Sequence, residues 1–329
     1  MCWQKTRIEK AFLPTKSVNF ETICFIINCL FTHFGHERLN KMKIGITTSA
    51  YIGTYGLEAG AEKMAAHGYE CMDYSRFCDT ETSFFKLPEA EFEKVLLKEK
   101  SILNAAGITV NQSHSPWRHP AQDFTAEQRA ERLEAFKKAI RGTAYLGGTD
   151  LVMHCIMPFG TNSAEHPELM RDMNAEFMAA LAEESKKYGN IRINIENLPF
   201  PTLPLNHPDQ IVDHVNRMNR EISGDLFRVC IDTGHCNYCK YSAADSVRLV
   251  GKLLGTLHVH DNDSTRDAHA TPGNGNIDWV DFSNALSEVG FDKVLSFETH
   301  VSTDIPVGEE RDRMERELFN TGLKIAKRI

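Results

Sequence analysis

No apolar run in this 329-residue chain is long enough to cross a bilayer. The nearest candidate, Thr22 to Phe34, falls well short of the ~20 residues a spanning helix needs. It lies too far along the chain for a signal peptide, and no small-residue cleavage site follows it. An excess of basic charge is also missing. Thirty-seven Lys and Arg stand against 45 Asp and Glu, a net charge of −8. Binders of nucleic acid or of anionic membranes usually carry a basic face, so neither partner is expected. There is no cysteine framework: the nine cysteines are odd in number and scattered, as in Cys71, Cys155 and Cys230. That pattern points to reduced thiols and a cytoplasmic protein. A glycine-rich phosphate loop is absent as well. ITTSAYIGTYG (46–56), after the first strand-like run, has neither the dinucleotide nor the P-loop spacing. No low-complexity segment appears, and no repeat shorter than a strand–helix unit.

From Met42 onward the chain alternates strand and helix patterns. Strands are predicted at 43–49, 69–75, 108–113, 150–155, 191–196, 228–232, 256–260 and 293–298. Helices are predicted at 57–67, up to 106, at 126–145, 167–188, 208–218, 243–254, 279–289 and 309–327, with Gly107 and Gly147 as stops. Alternating βα units imply a parallel sheet with right-handed crossovers. Eight of them fit a (β/α)₈ TIM barrel better than an open doubly wound sheet. The catalytic domain is therefore expected at 42–329. Residues 1–41 form an appendage, either a segment upstream of a true start at Met42 or an extra helix packed on the domain.

A barrel carries its active site at the C-terminal ends of its strands. Four apolar runs end there on a side chain able to bind a cation: Glu196, Asp232, His260 and Glu298. Adjacent strands lie about 4.8 Å apart, so these side chains can converge on one ion. Three carboxylates and one imidazole suit Mn²⁺ first, with Mg²⁺, Co²⁺ or Zn²⁺ also compatible. His258 and His260 are two residues apart and share a strand face. His260, nearer the rim, is expected to be the ligand and His258 to orient a neighbour. His114, His154, His235 and His269 gather at the same rim. Cys236 and Cys239 form a CxxC and are expected at the surface. Two loops overhang the rim. One is 261–279, with Asp261, Arg266, Asp267 and His269. The other is 114–123, where Trp117 can stack on a sugar face.

IENLP (195–199), CIDTGH (230–235), HVHDND (258–263) with DAHATPGNGNIDW (267–279), and SFE (296–298) follow one another in this order. Together they resemble the xylose-isomerase-like TIM-barrel superfamily. Within it they resemble the sugar isomerase/epimerase branch of ketose 3-epimerases, inosose-processing enzymes and hydroxypyruvate isomerase. The resemblance covers Met42 to the C-terminus. It implies metal ligation by Glu196, Asp232, His260 and Glu298, and substrate contacts from His235 and from Arg266, six residues past His260. The epimerases have a second glutamate shortly after the first, where this chain has Pro199–Pro204. The superfamily also holds three-zinc apurinic-site endonucleases. Their ligand set could be filled here by His114, His154, Glu196, Asp232, His235, His260, Asp267, His269 and Glu298.

The expected function is a divalent-metal-dependent isomerase or epimerase of a small sugar or polyol. The cation would stabilise an enediolate while Glu196 and Glu298 remove and return the proton. His235, Arg266, His114, Trp117 and His154 would contact substrate. Three alternatives stay open: a dehydratase or lyase on an oxidised sugar, the three-zinc endonuclease, and a non-catalytic sugar-binding barrel. Assembly into a homo-oligomer is open too.

Overall fold

The computed structural model describes residues 42–117, 123–157, 165–301 and 304–329. The expectation for residues 1–41 lies outside this range. Eight strands run in chain order: β1 (Lys43–Thr47), β2 (Cys71–Tyr74), β3 (Thr109–His114), β4 (Asp150–Met153), β5 (Arg192–Glu196), β6 (Phe227–Asp232), β7 (Leu254–His258) and β8 (Val294–Phe297). All neighbouring pairs are parallel, in the order β7-β6-β5-β4-β3-β2-β1-β8. The ends of that sheet meet through a parallel bridge between Val259 and Phe297, where Val259 N–H donates to Ser296 O at 2.9 Å. The barrel is thus nearly closed, as the strand–helix alternation predicts.

The strands are short and covered on both faces. Val229, Cys230 and Ile231 of β6 have no exposed surface, the condition that makes parallel strands continuous apolar runs. Helices form the outer layer: α1 (Thr48–Tyr55), α2 (Leu57–His67), α3 (Glu89–Ala105), α4 (Ala126–Leu146), α5 (Pro167–Lys187), α6 (Pro208–Glu221), α7 (Thr233–Tyr238), α8 (Ala243–Val250), α9 (Trp279–Val289) and α10 (Glu309–Ala326). Local chemistry fixes several of their ends. Thr125, Ser242 and Asp278 accept backbone N–H groups at the starts of α4, α8 and α9. Gly147 and Gly290 close α4 and α9 in the left-handed region.

Three differences from the sequence expectation bear on the site. The chain turns helical at Thr48, so β1 ends two residues earlier than predicted and α1 follows it. Beyond β6, Asp232 accepts the His235 N–H at 2.6 Å and nucleates the short helix α7. Cys236 is thereby buried in the fold and Cys239 half-buried, not at the surface. Finally β7 spans 254–258, two residues earlier than predicted, so His258 ends the strand and His260 lies past it.

Candidate metal centre

Glu196 ends β5 with 2 % of its surface exposed and acts as the hub of the rim. Its Oε2 lies 3.3 Å from His114 Nε2 and 3.2 Å from His154 Nε2. Its Oε1 lies 3.0 Å from His258 Nδ1 and 3.6 Å from His235 Nδ1. Glu298, just past β8, brings Oε2 to 3.2 Å from His258 Nδ1, an ion-pair contact, and that oxygen has no hydrogen-bond partner among the described residues. Asp232 spends Oδ1 on the α7 cap and meets His260 Nε2 with Oδ2 at 2.9 Å.

Donor atoms within 4.8 Å of one another form three groups at this rim: His114, His154 and Glu196; Glu196, Asp232, His258 and Glu298; and His235, His260, Asp267 and His269. The three carboxylates expected from sequence do converge, with His258 within the same span and His260 Nε2 2.9 Å from Asp232 Oδ2. His260 belongs to the neighbouring group. The cause is local: Thr233, at the start of α7, bonds both the N–H (3.0 Å) and the carbonyl (2.7 Å) of His260. This pins the residue beside α7, where its ring stacks on His269 with centroids 4.0 Å apart. Gly234 leaves the necessary room, since a Cβ there would lie 2.0 Å from His260 Cε1.

Four of the histidines face an acceptor with each ring nitrogen. His114 has Ser115 O at 2.7 Å and Glu196. His235 has Asn197 O at 2.8 Å and Asp267 at 3.2 Å. His258 has Asp73 at 2.9 Å and Glu196. His269 has Glu298 O at 2.8 Å and Asp267 at 3.3 Å. A neutral imidazole has one N–H, so it cannot satisfy two acceptors. Either each ring takes a second proton or a cation stands between ring and carboxylate. The first alternative appears in the titration behaviour. Burial opposes the charged form, yet Asp232, Asp267 and Glu196 push His235 up to about 9. Against the same opposition, Asp267, Glu298 and Asp232 push His269 up to about 10. Burial disfavours ionised Glu196, but the His258, His114 and His154 rings hold it well below the usual carboxylate range. The second alternative is the usual environment of a metal-bound histidine, whose other N–H is held by a carbonyl or carboxylate. The orphaned Glu298 Oε2, Asp267 Oδ1 and His260 Nδ1 point the same way. The donor set therefore fits divalent cations.

Above the donors lies a cavity of about 250 Å³. His114, His154, Glu196, His235, Asp267, His269 and Glu298 line it, with Trp117, Phe200 and Leu198 as an apolar wall. Trp117 is 51 % exposed, and its ring lies 6.3 Å from that of His154. Asp232 and His260 are fully buried and outside this lining. Arg266 is exposed on its loop and does not line the cavity, contrary to expectation. The adjacent turn, closed by Asp263 on Thr265 N–H at 2.9 Å, carries it outward. Arg132, which sequence reasoning missed, is the one permanent cation among the described residues of the lining. Asp73, at the end of β2, was missed as well.

The loop that supplies Asp267 and His269 is organised by Asp261. This fully buried carboxylate accepts from Gly273 N–H at 2.8 Å, Trp279 Nε1 at 2.9 Å and Asn262 N–H at 2.9 Å. Gly273 adopts a positive φ of 94°, and a Cβ on Gly275 would meet Asn262 O at 2.2 Å. These contacts account for the PGNGNIDW run.

Comparison with known proteins adds relatives. Residues 61–321 match the xylose isomerase-like TIM barrel. A D-psicose 3-epimerase of Enterocloster bolteae is 26 % identical over 283 residues, 83 % of this chain and 87 % of its own. An inosose isomerase of Bacillus velezensis is 24 % identical over 267 residues, 78 % of this chain and 88 % of its own. The crystal structure of a D-tagatose 3-epimerase-like protein superposes with a TM-score of 0.67 at 22 % identity, covering 87 % of this chain and 98 % of that one.

Proposed function

Because this chain belongs to the xylose isomerase-like TIM barrel family, we propose that it is a divalent-metal-dependent isomerase or epimerase of a small sugar or polyol. The observation that carries this reading is the rim where four histidines face an acceptor with each ring nitrogen, beside three converging carboxylates. The psicose epimerase and inosose isomerase among the relatives supply the substrate class. Glu196, Asp232 and Glu298 would hold the cation together with His260, whose Nε2 lies 2.9 Å from Asp232 Oδ2; three carboxylates and one imidazole favour Mn²⁺. When bound, the cation supplies Lewis-acid polarisation of a substrate carbonyl, which acidifies the adjacent C–H.

The protein's own groups do the rest. Glu298, whose Oε2 has no hydrogen-bond partner and borders the cavity, takes the proton from the carbon beside the carbonyl. Glu196 returns a proton, to the opposite face of that carbon for epimerisation or to its neighbour for isomerisation. His114, His154 and His235 orient hydroxyl groups, and the Trp117 ring covers the apolar face of the substrate. No helix of the described residues is long and apolar enough to cross a membrane. The six described cysteines are free thiols, in keeping with a cytoplasmic enzyme.

The test is Mn²⁺-loaded protein with a panel of ketoses and inososes in D₂O. Wild type should introduce deuterium at a carbon next to the carbonyl. Glu196→Gln and Glu298→Gln should each lose about 10²–10⁴-fold in turnover. A second reading, metal-dependent cleavage at apurinic sites in DNA, is favoured by one observation: the donors form three groups rather than one. Three bound metals per chain, cleavage of abasic DNA and no deuterium in any sugar would replace the first reading with the second.

A further inference from the structure

A second hollow, of about 180 Å³, adjoins the cavity over the rim. Pro116, Trp117 and Arg132 line both spaces. Thr80, Glu81, Glu131 and Ala135 line the second alone. Its walls come from three parts of the chain. Thr80 and Glu81 lie in the loop after β2, where Asp79 Oδ1 accepts the Glu81 N–H at 2.8 Å and turns the backbone. Trp117 lies in the loop after β3, and its N–H donates to Cys78 O at 3.0 Å, which joins the two loops. Glu131 and Ala135 stand four residues apart on α4 and so share a helix face. Arg132, next to them, is set in place by the fully buried Asp123, whose Oδ1 accepts from Arg132 Nε at 2.9 Å. Arg129 also pairs with Asp123 and donates to Met157 O at 2.6 Å. The guanidinium is thus oriented before any ligand arrives, which lowers the cost of binding.

The hollow offers carboxylates as acceptors, a guanidinium as donor, the Thr80 hydroxyl as either, and the half-exposed Trp117 ring. Its charges decide which guest suits it. Glu81, Glu131 and Asp123 balance Arg132, Arg129 and Lys86, which pairs with Glu81 at 2.7 Å. Among the described residues no positive excess remains to favour a phosphate or carboxylate group. A neutral unit rich in hydroxyls uses every group present. Its hydroxyls donate to the carboxylates and accept from the guanidinium, while its C–H face lies on the indole.

We propose that this hollow is a subsite for a second sugar unit, so that the substrate is a glycoside of a keto sugar rather than a lone monosaccharide. The carbonyl-bearing unit occupies the cavity over the metal centre, and the glycosyl unit passes Trp117 into the hollow. The placement of the first unit rests on the isomerase reading above.

The experiment titrates Mn²⁺-loaded full-length protein by calorimetry with fructose, with glucosyl-fructoses linked through the 4- or the 6-hydroxyl, and with fructose 6-phosphate. Each sugar is also assayed for deuterium uptake from D₂O. At least one disaccharide should bind about 10-fold more tightly than fructose, the gain of a hydrogen bond or two. Ala135→Phe, which fills the hollow from α4, should bring that disaccharide down to the affinity of fructose. Should Ala135→Phe not fold, Thr80→Trp fills the hollow from the opposite wall and should do the same. Equal affinity for fructose and both disaccharides overturns the subsite, as does an advantage that survives the filling substitution. Tighter binding of fructose 6-phosphate than of either disaccharide overturns it in favour of an anionic group. The deuterium assay tests the isomerase reading and the ratio of affinities tests the subsite, so each can fail alone.

Discussion

His214 lies in α6 with 3 % of its surface exposed, and neither ring nitrogen has a hydrogen-bond partner among the described residues. Burial, reinforced by Arg217, pushes its pKa down to about 4. In the unfolded chain the ring titrates at about 6.5. The unfolded state therefore binds this proton at a higher pH than the folded state, and stability falls as pH falls. The contribution is fully present above about pH 6.5. It declines by about 1.4 kcal/mol at about pH 5.5 and by about 3 kcal/mol at about pH 4, at 1.36 kcal/mol per pKa unit. The perturbation is His214→Leu, which removes the titration and keeps the site apolar. The assay is urea unfolding of wild type and variant at several pH values from neutral to acid. Taking the difference cancels the titration of the rim. The variant should gain on wild type by about 3 kcal/mol between neutral pH and about pH 4, with the steepest change below about pH 6.5. Removing an unsatisfied buried N–H should also make it no less stable at neutral pH by that term. Parallel stability curves would refute the reasoning, because they would mean that the folded protein takes up the proton as readily as the unfolded chain.

Gly234→Ala places a Cβ 2.0 Å from His260 Cε1. Overpacking of this kind typically costs about 1–3 kcal/mol, so chemical denaturation should show a loss in that range, with weakened metal binding. His258→Gln and His260→Gln separate the two neighbouring histidines: elemental analysis of the Mn²⁺-loaded proteins should show the larger loss for His260→Gln. Trp117→Ala, which strips the exposed ring from the cavity wall, should raise KM for a sugar substrate with little change in kcat. A chain starting at Met42 should fold and keep full activity, checked by its melting temperature and the deuterium-exchange assay.

The barrel is legible in the sequence because strand-like runs, of which Val229–Ile231 is apolar and buried on both faces, alternate with helical patterns eight times. Glu196, Asp232 and Glu298 are legible as a set: any one strand-end acid can serve as a cap, as Asp232 does for α7, but several closing successive runs cannot all be explained that way. β7 ends at His258, two residues before the predicted end, because apolar periodicity does not locate a strand end to two residues. Asp73 reads in CMDY as one more residue of a strand, and its partner Gln112 lies past a register shift on the neighbouring strand. The substrate contact at Arg266 is what the resemblance implies, and the sequence alone does not show that its loop turns it outward. α7 follows from the Asp232 cap, which TGH disguises as a turn. α1 has no sequence signal that we can identify beyond its position after β1.

The Asp261 carboxylate divides the rim loop into two parts with different freedom to change. From Ala270 to Trp279 the chain is folded back on one buried group, and the backbone pairing of Asp261 with Ala270 closes it into a ring. Adding or deleting a residue there would move His269. The tip from Asp263 to Arg266 hangs outside this ring, turned by Asp263 on Thr265 and tied back through Ser264 and the Asp263 carbonyl to Lys240, Asn262 and Asn276. That tip is where descendants of this protein, or a designer, can alter what the entrance admits while the cation-facing side chains stay in place.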